Sequence, residues 1–177
     1  MLYYSGLLDA CERLKLMKEF CTNHTEIILY QPEIPQNLGT ILRLCSCFGV
    51  SLNVIEPCGF PFSSRGLKRS MMDYGELNDV TRYTNFEKYY DQKMSTLENS
   101  RMILFTTKGN ECIWDFEFCL GDHLFFGNEG HGVPNTIAQK AHAKIFIPMP
   151  GRGRSLNLAV SAGIALSEAT RQLRKEK

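Results

Sequence analysis

The sequence predicts an α/β fold, a parallel sheet with helices covering both faces. Two observations carry that reading. Short apolar runs alternate with amphipathic helical patterns over most of the chain. The runs are near-continuously apolar rather than alternating, as expected of strands buried on both sides. A third observation, the lack of any linker, composition shift or internal repeat after residue 25, predicts one domain over residues 26–177.

The elements follow in order. Residues 1–25 place Leu7, Leu8, Cys11, Leu14 and Met17 among charges, the pattern of an amphipathic helix appended before the main fold. Glu26 to Tyr30 (EIILY) is a β-rich run stopped by Pro32 and Pro35. Asn37 suits an N-cap, and Leu38, Ile41, Leu42, Cys45 and Phe48 then share one helical face up to Gly49. A strand over 52–55 leads through a turn-rich stretch (EPCGFPFSSRG) to a helical segment over about 67–74. A short helix over 85–91 is followed by apolar strands over 102–106, 123–126 and 144–147. From Asn157 a long closing helix runs to Arg171, Arg174 and Lys175, cations that suit a helix carboxyl end.

Composition excludes several function classes. The 177 residues are 44% hydrophobic and 22% charged, which fits a packed domain and neither a disordered chain nor a fibre. No run approaches the roughly 18 apolar residues that cross a bilayer, and the amino terminus lacks a secretory pattern, so a cytosolic protein without membrane contact is expected. Twenty basic against 19 acidic residues leave no global field to attract nucleic acid, so any polyanion site must be local. The seven cysteines include no Cys-x-x-Cys pair and the four histidines are not spaced as ligands. Reduced thiols and no metal are expected, with Cys45 and Cys47 read as core residues of an apolar helix.

Three loops leave three of the expected strands, on the sheet edge where ligands bind in open α/β folds. In QPEIPQNLGTILR, Arg43 lies one turn beyond Gly39 on an otherwise apolar face; it either extends to solvent or a structural carboxylate, or serves a site. The second loop, Gly127-Asn128-Glu129-Gly130-His131-Gly132, has three glycines after a strand, with Pro134 where a helix could begin. It matches neither the dinucleotide fingerprint nor a P-loop, and a tight turn explains its glycines less readily than ligand contact does. The third runs from Ile147 through PMPGRGRS to Asn157; Arg152 and Arg154 suit polyanion contact, while Ser155 and Asn157 suit either helix capping or a site. Arg65, Lys68 and Arg69 form a further cluster that reads as a solvated helix face or a polyanion contact.

These three loops, in this order, resemble the three motifs of the SPOUT superfamily of S-adenosylmethionine-dependent RNA methyltransferases. ILYQPEIPQNLGTILRLC, LFTTKG, FFGNEGHGVP and IPMPGRGRSLNLAVSAGIAL are most similar to its TrmL type, over about residues 26–173. The resemblance implies a sheet whose carboxyl-terminal part threads a deep trefoil knot, a homodimer that completes the site, and methylation of the ribose 2'-hydroxyl of the wobble nucleotide of leucine tRNAs. It further implies S-adenosylmethionine held by Phe105, Thr106, Gly127, Asn128, Gly130, Gly132, Ile147, Ser155 and Leu156, leaving as S-adenosylhomocysteine. Asn37, Arg43, Glu129, Ser155 and Asn157 fall on the family's catalytic-centre positions. Other TrmL-type chains differ around the acid, so the resemblance leaves open whether His131 takes part.

A sulfonium methyl is already activated, so such an enzyme must chiefly hold the hydroxyl in line and remove its proton. Arginine stays protonated at any working pH, so Arg43 is expected to bind phosphate and polarise the hydroxyl, with the proton acceptor left open. The alternatives are a ribosomal RNA ribose methyltransferase of the same superfamily and a non-catalytic RNA-binding module of the same fold. RNA contact is expected from Arg65, Lys68, Arg69, Arg152 and Arg154, a local basic surface on a near-neutral chain.

Overall fold

The computed structural model describes residues 25–62, 80–95 and 100–173. The helical pattern over 1–24, the expected helix over 67–74, and Arg65, Lys68, Arg69, Arg174 and Lys175 lie outside the described residues. Seven strands form one sheet: β1 (Glu26–Tyr30), β2 (Ser51–Ile55), β3 (Val80–Tyr83), β4 (Arg101–Phe105), β5 (Glu111–Cys112), β6 (Asp122–Phe126) and β7 (Ala143–Phe146). Their order is β3-β2-β1-β6-β4-β7-β5, and every neighbouring pair is parallel. The register pairs Tyr30 with Ile55, Leu29 with Phe126, and Phe105 with both Phe126 and Ile145, so the carboxyl ends of the central strands share one edge.

Side-chain alternation along the strands builds a core on each face. Ile27 and Leu29 of β1 pack on one face with Leu38, Ile41 and Leu42 of α1 (Pro35–Phe48) and Ala162, Ala165 and Leu166 of α4 (Leu158–Leu173). Ile28 and Tyr30 pack on the other with Phe86 and Tyr89 of α2 (Phe86–Tyr89) and Ile137 of α3 (Asn135–Ala138). The small residues of α4 let it lie close to α1. Both faces are covered, as the apolar strands require.

Several boundaries differ from the sequence reading. Asn37 is not an N-cap: the cap is Ile34, and Pro35, whose fixed φ suits a first helical position, starts α1. This places Asn37 inside the first turn, with its side chain turned to other business. β3 and β5 were not expected, since VTRY is short and half-buried and β5 has only two residues. The helix over 85–91 is capped by Asn85, whose Oδ1 accepts the Lys88 N–H at 2.9 Å, and it continues as a π-helical turn to Met94. Cys45 is buried but Cys47 is exposed, because two residues of helix rotate the side chain about 200° away. Burial pushes the Cys45 and Cys58 thiols up to about 12, so neither is a reactive thiolate.

At the opposite, amino-terminal edge of the sheet His123 is buried on β6, its Nδ1 2.9 Å from the Tyr89 hydroxyl and 3.9 Å from Glu26 Oε2. Burial, aided by the Lys93 ammonium that sits 2.7 Å from Glu26, pulls the imidazole down to about 4 against the opposing pull of Glu26. It is therefore neutral at pH 7, and its approach to Glu26 is not an ion pair. The folded chain holds this proton less well than the unfolded one, so the stability is intact above about pH 6.5 and is lost as pH falls toward 4. The expected loss is roughly 3 kcal/mol at full protonation. Urea melts between pH 7 and 4.5 check this: His123→Gln, which keeps an acceptor for Tyr89, should flatten that dependence, and an unchanged slope would remove His123 as its cause.

Candidate active site

Three loops that leave the carboxyl edge of the sheet converge, those after β1, β6 and β7, and the segment after β4 closes a cavity of about 650 Å³ between them. Glu129 ties the first two. Its Oε2 accepts the Glu33 N–H at 2.8 Å, and its Oε1 accepts the Ile34 N–H at 3.2 Å and the Asn37 side-chain amide at 3.0 Å. These donors stand at the amino end of α1, where the helix dipole favours a negative charge. Asn37 Oδ1 in turn accepts from Asn157 Nδ2 at 2.9 Å, and Asn157 Oδ1 accepts the Ala159 and Val160 N–H groups at 2.8 and 3.3 Å. Asn157 thus caps α4 and joins the third loop at once; the two readings of it were not exclusive. The chemistry fixes both amide orientations, because only an NH2 can face the carboxylate.

Asn128 shapes the second loop from within. Its Nδ2 donates to the Gln31 carbonyl at 2.7 Å, and its Oδ1 accepts the Gly130 and His131 N–H groups at 2.8 and 3.1 Å. Its backbone pairs with Gly132 in both directions, at 3.0 and 2.9 Å. Gln31, the carbonyl partner, holds φ at 49°, a left-handed conformation costly for a residue with a Cβ. Gly132 has φ 70°, and a Cβ on Gly127 would stand 2.7 Å from the Gly132 carbonyl carbon. Two of the three glycines are thereby explained by conformation and close approach, and the loop is a rigid wall of the cavity.

The floor of the cavity is apolar. Phe105 and Phe126 stack with ring centres 4.9 Å apart, and Ile147, Met149 and Leu156 continue the surface toward α4. An apolar floor beside a rim of backbone amides and a few polar side chains is the usual lining of a small-molecule site, and the volume suits a nucleotide-sized ligand. Among the described residues no three His, Cys, Asp or Glu side chains gather as a metal would require.

A model of the SpoU rRNA methylase family matches residues 24–167. The chain belongs to that family. Among the SpoU relatives, the tRNA (cytidine(34)-2'-O)-methyltransferase of Beijerinckia indica subsp. indica is 42% identical over 147 residues, 83% of this chain and 91% of that protein. A solved structure described by the words "Structural insights into the 2-OH methylation of C/U34 on tRNA" aligns with a TM-score of 0.80 at 38% identity, covering 85% of this chain and 97% of that one. The AdoMet-bound rRNA methyltransferase of Sinorhizobium meliloti aligns with a TM-score of 0.74 at 30% identity, covering 85% of this chain and 57% of that one.

Of the residues singled out from the sequence, the SpoU-family cavity gathers Asn37, Phe105, Thr106, Gly127, Asn128, Glu129, Gly130, Gly132, Ile147, Ser155, Leu156, Asn157 and Arg154 on its wall. The Ser155 side chain is exposed there and makes no hydrogen bond among the described residues. Arg43 and Arg152 are exposed but stand off the wall. The sequence reading missed Thr107, Lys108, Lys144 and Met149 and left His131 open, and all five line the cavity. Thr107 and Lys108 had a signal, since they directly follow an apolar strand on the ligand-binding edge. Lys144 had none, because it lies within β7 itself.

Proposed function

We propose that this chain transfers the methyl group of S-adenosylmethionine to the ribose 2'-hydroxyl of nucleotide 34 of tRNA, with leucine tRNAs as the substrates, in the cytosol. The observation that carries the reading is the 42% identity to a tRNA (cytidine(34)-2'-O)-methyltransferase over 91% of that protein, joined here to a cavity whose loops are tied together through Glu129, Asn37 and Asn157. The residues present fit the cofactor. Phe105, Ile147 and Leu156 offer apolar surface to an adenine ring, and the backbone of 127–132 and 155–156 offers polar groups close to the wall. When bound, S-adenosylmethionine supplies a methyl group activated by its sulfonium.

The protein's part is then positioning. Glu129, Asn37 and Asn157 hold the three loops at fixed spacing, and Ser155 presents a hydroxyl to the cavity. Arg43 binds a phosphate of the RNA and polarises the 2'-hydroxyl while remaining protonated. Its exposed place on α1, off the wall of its own chain's cavity, favours a site completed by a second copy in a homodimer. The same reading includes the carboxyl-terminal trefoil knot, supported by the adjacency of β6, β4 and β7 and by the facing loops after β6 and β7.

The test incubates total RNA, tRNA and ribosomal RNA together, from a strain lacking the modification with the protein and labelled S-adenosylmethionine and maps the modified nucleotide. Label at nucleotide 34 is expected, whereas label only in ribosomal RNA, or none, would overturn the reading. Arg43→Ala is expected to lower the rate on the order of 100-fold or more while cofactor affinity is kept. A wild-type rate for that variant would remove Arg43 from the reaction.

A further inference from the structure

Lys144 is a cation set inside a strand of the sheet. On β7, Ala143 and Ile145 pack against the core beneath α1 and α4, so by alternation Lys144 projects from the other face, beside Leu104, its register partner on β4. There it is half-buried and lines the cavity together with the apolar Leu104, Val133 and Ala138. Its ammonium makes no hydrogen bond or ion pair among the described residues. A lysine that gives up part of its hydration without a partner costs free energy, and an anion brought to it recovers that cost.

A second lysine is fixed against the same stretch of β7. The turn after β4 docks there through the Thr106 N–H, which donates to the Ile145 carbonyl at 2.9 Å, and the Asn110 N–H, which donates to the Lys144 carbonyl at 3.0 Å. Gly109 makes the fit close, since a Cβ on it would stand 2.6 Å from the Ile145 carbonyl carbon and 2.9 Å from the Lys144 oxygen. Within the turn the Lys108 N–H donates to Thr106 Oγ1 at 3.3 Å. The Lys108 side chain is exposed on the cavity wall and, like that of Lys144, is unpaired among the described residues. The wall's acid among these residues, Glu129, is already engaged by Glu33, Ile34 and Asn37. Glu111 of β5 is level with Ile145 and so stands on the opposite face of the sheet from Lys144. We infer that Lys108 and Lys144 form an oxyanion subsite at the β4–β7 end of the cavity. Its ligand is the carboxylate at the methionine end of the cofactor or a phosphate of the RNA, both of which bring charged acceptor oxygens to the ammonium groups. The choice of these two sources rests on the methyltransferase reading above, whereas the oxyanion chemistry does not.

Calorimetry with S-adenosylmethionine and with its decarboxylated analogue, and filter retention of tRNA over a range of salt, separate the two sources. If the carboxylate is the ligand, Lys144→Gln and Lys108→Gln each weaken S-adenosylmethionine on the order of tenfold and do not weaken the decarboxylated analogue. If a phosphate is the ligand, cofactor affinity is kept, tRNA binding falls by a similar factor and its salt slope drops by about one. Lys144→Arg should retain most of either binding. Lys108→Gln, on an exposed turn, keeps the test valid should Lys144→Gln fold poorly. Unchanged affinities for both ligands in both variants would overturn the subsite, as would an equal loss in Lys88→Gln, which sits on α2 and off the cavity wall. A wild type that binds neither ligand would overturn the methyltransferase reading instead; the subsite would then stand only if the wild type binds inorganic phosphate and Lys144→Gln weakens that binding.

Discussion

Glu129→Ala is expected to abolish most of the methyl transfer and to weaken the fold at the same time. The carboxylate accepts from Glu33, Ile34 and Asn37, and the three donors differ in what the loss does to them. The two backbone N–H groups are near solvent and can find water. The Asn37 amide, 5% exposed, cannot, and a buried donor without a partner costs about 1–3 kcal/mol. Removing the charge from the amino end of α1 costs roughly another 0.3–1 kcal/mol. The rate effect is larger than the stability effect, because Asn37 and Asn157 then lose the reference that sets their position, and a displacement of about 1 Å at such a site costs on the order of 100-fold. Single-turnover methylation measured beside urea melts separates the two losses. Glu129→Gln, which keeps one acceptor oxygen, should fall between, and wild-type turnover by Glu129→Ala would show that the three-loop tie is dispensable.

Gly127→Ala should be as damaging by a different route. The added methyl group would meet the Gly132 carbonyl carbon at 2.7 Å, its Cα at 2.8 Å and its oxygen at 3.0 Å, all of them backbone atoms that no rotamer change can move. Relief requires the Asn128–Gly132 pair to open, which gives up two hydrogen bonds and the shape of the cavity wall. The combined cost is about 3 kcal/mol or more. Cofactor affinity by calorimetry should fall on the order of 100-fold or beyond. Gly151→Ala is the control, since a Cβ there meets nothing within 4 Å, and its stability should stay within about 0.5 kcal/mol of wild type. Equal behaviour of the two variants would refute the steric account.

How much of this was legible in the sequence depended on whether the signal was local. The apolar runs of β1, β4, β6 and β7 and the 3.6-residue spacing in α1 are local patterns, and they were read to within a residue or two apart from the start of α1. That start was misread because Asn37 has a strong capping preference, while the stronger constraints, Pro35 at the first helical position and a carboxylate arriving from residue 129, could not both be seen along the chain. β3 and β5 are too short, and too dependent on pairing with β2 and β7, to carry a pattern of their own. Within the site, residue types and the order of the loops marked Glu129, Asn37 and Asn157. Their mutual hydrogen bonds were invisible because they link residues 92 and 120 positions apart.

That same separation gives the site a property of timing. Asn37 lies in the first quarter of the chain, Glu129 arrives only after β6, and Asn157 only after β7 has taken its place at β4. Each contact between such distant positions needs a long loop to close before it can form. A chain halted or cleaved before residue 157 can hold much of the sheet, yet its Asn37 carbonyl oxygen waits without its donor and the wall between the loops stays open. Competence to engage a substrate is thus withheld until the last turn into α4 has been laid down, so a half-made molecule does not act as an unfinished enzyme.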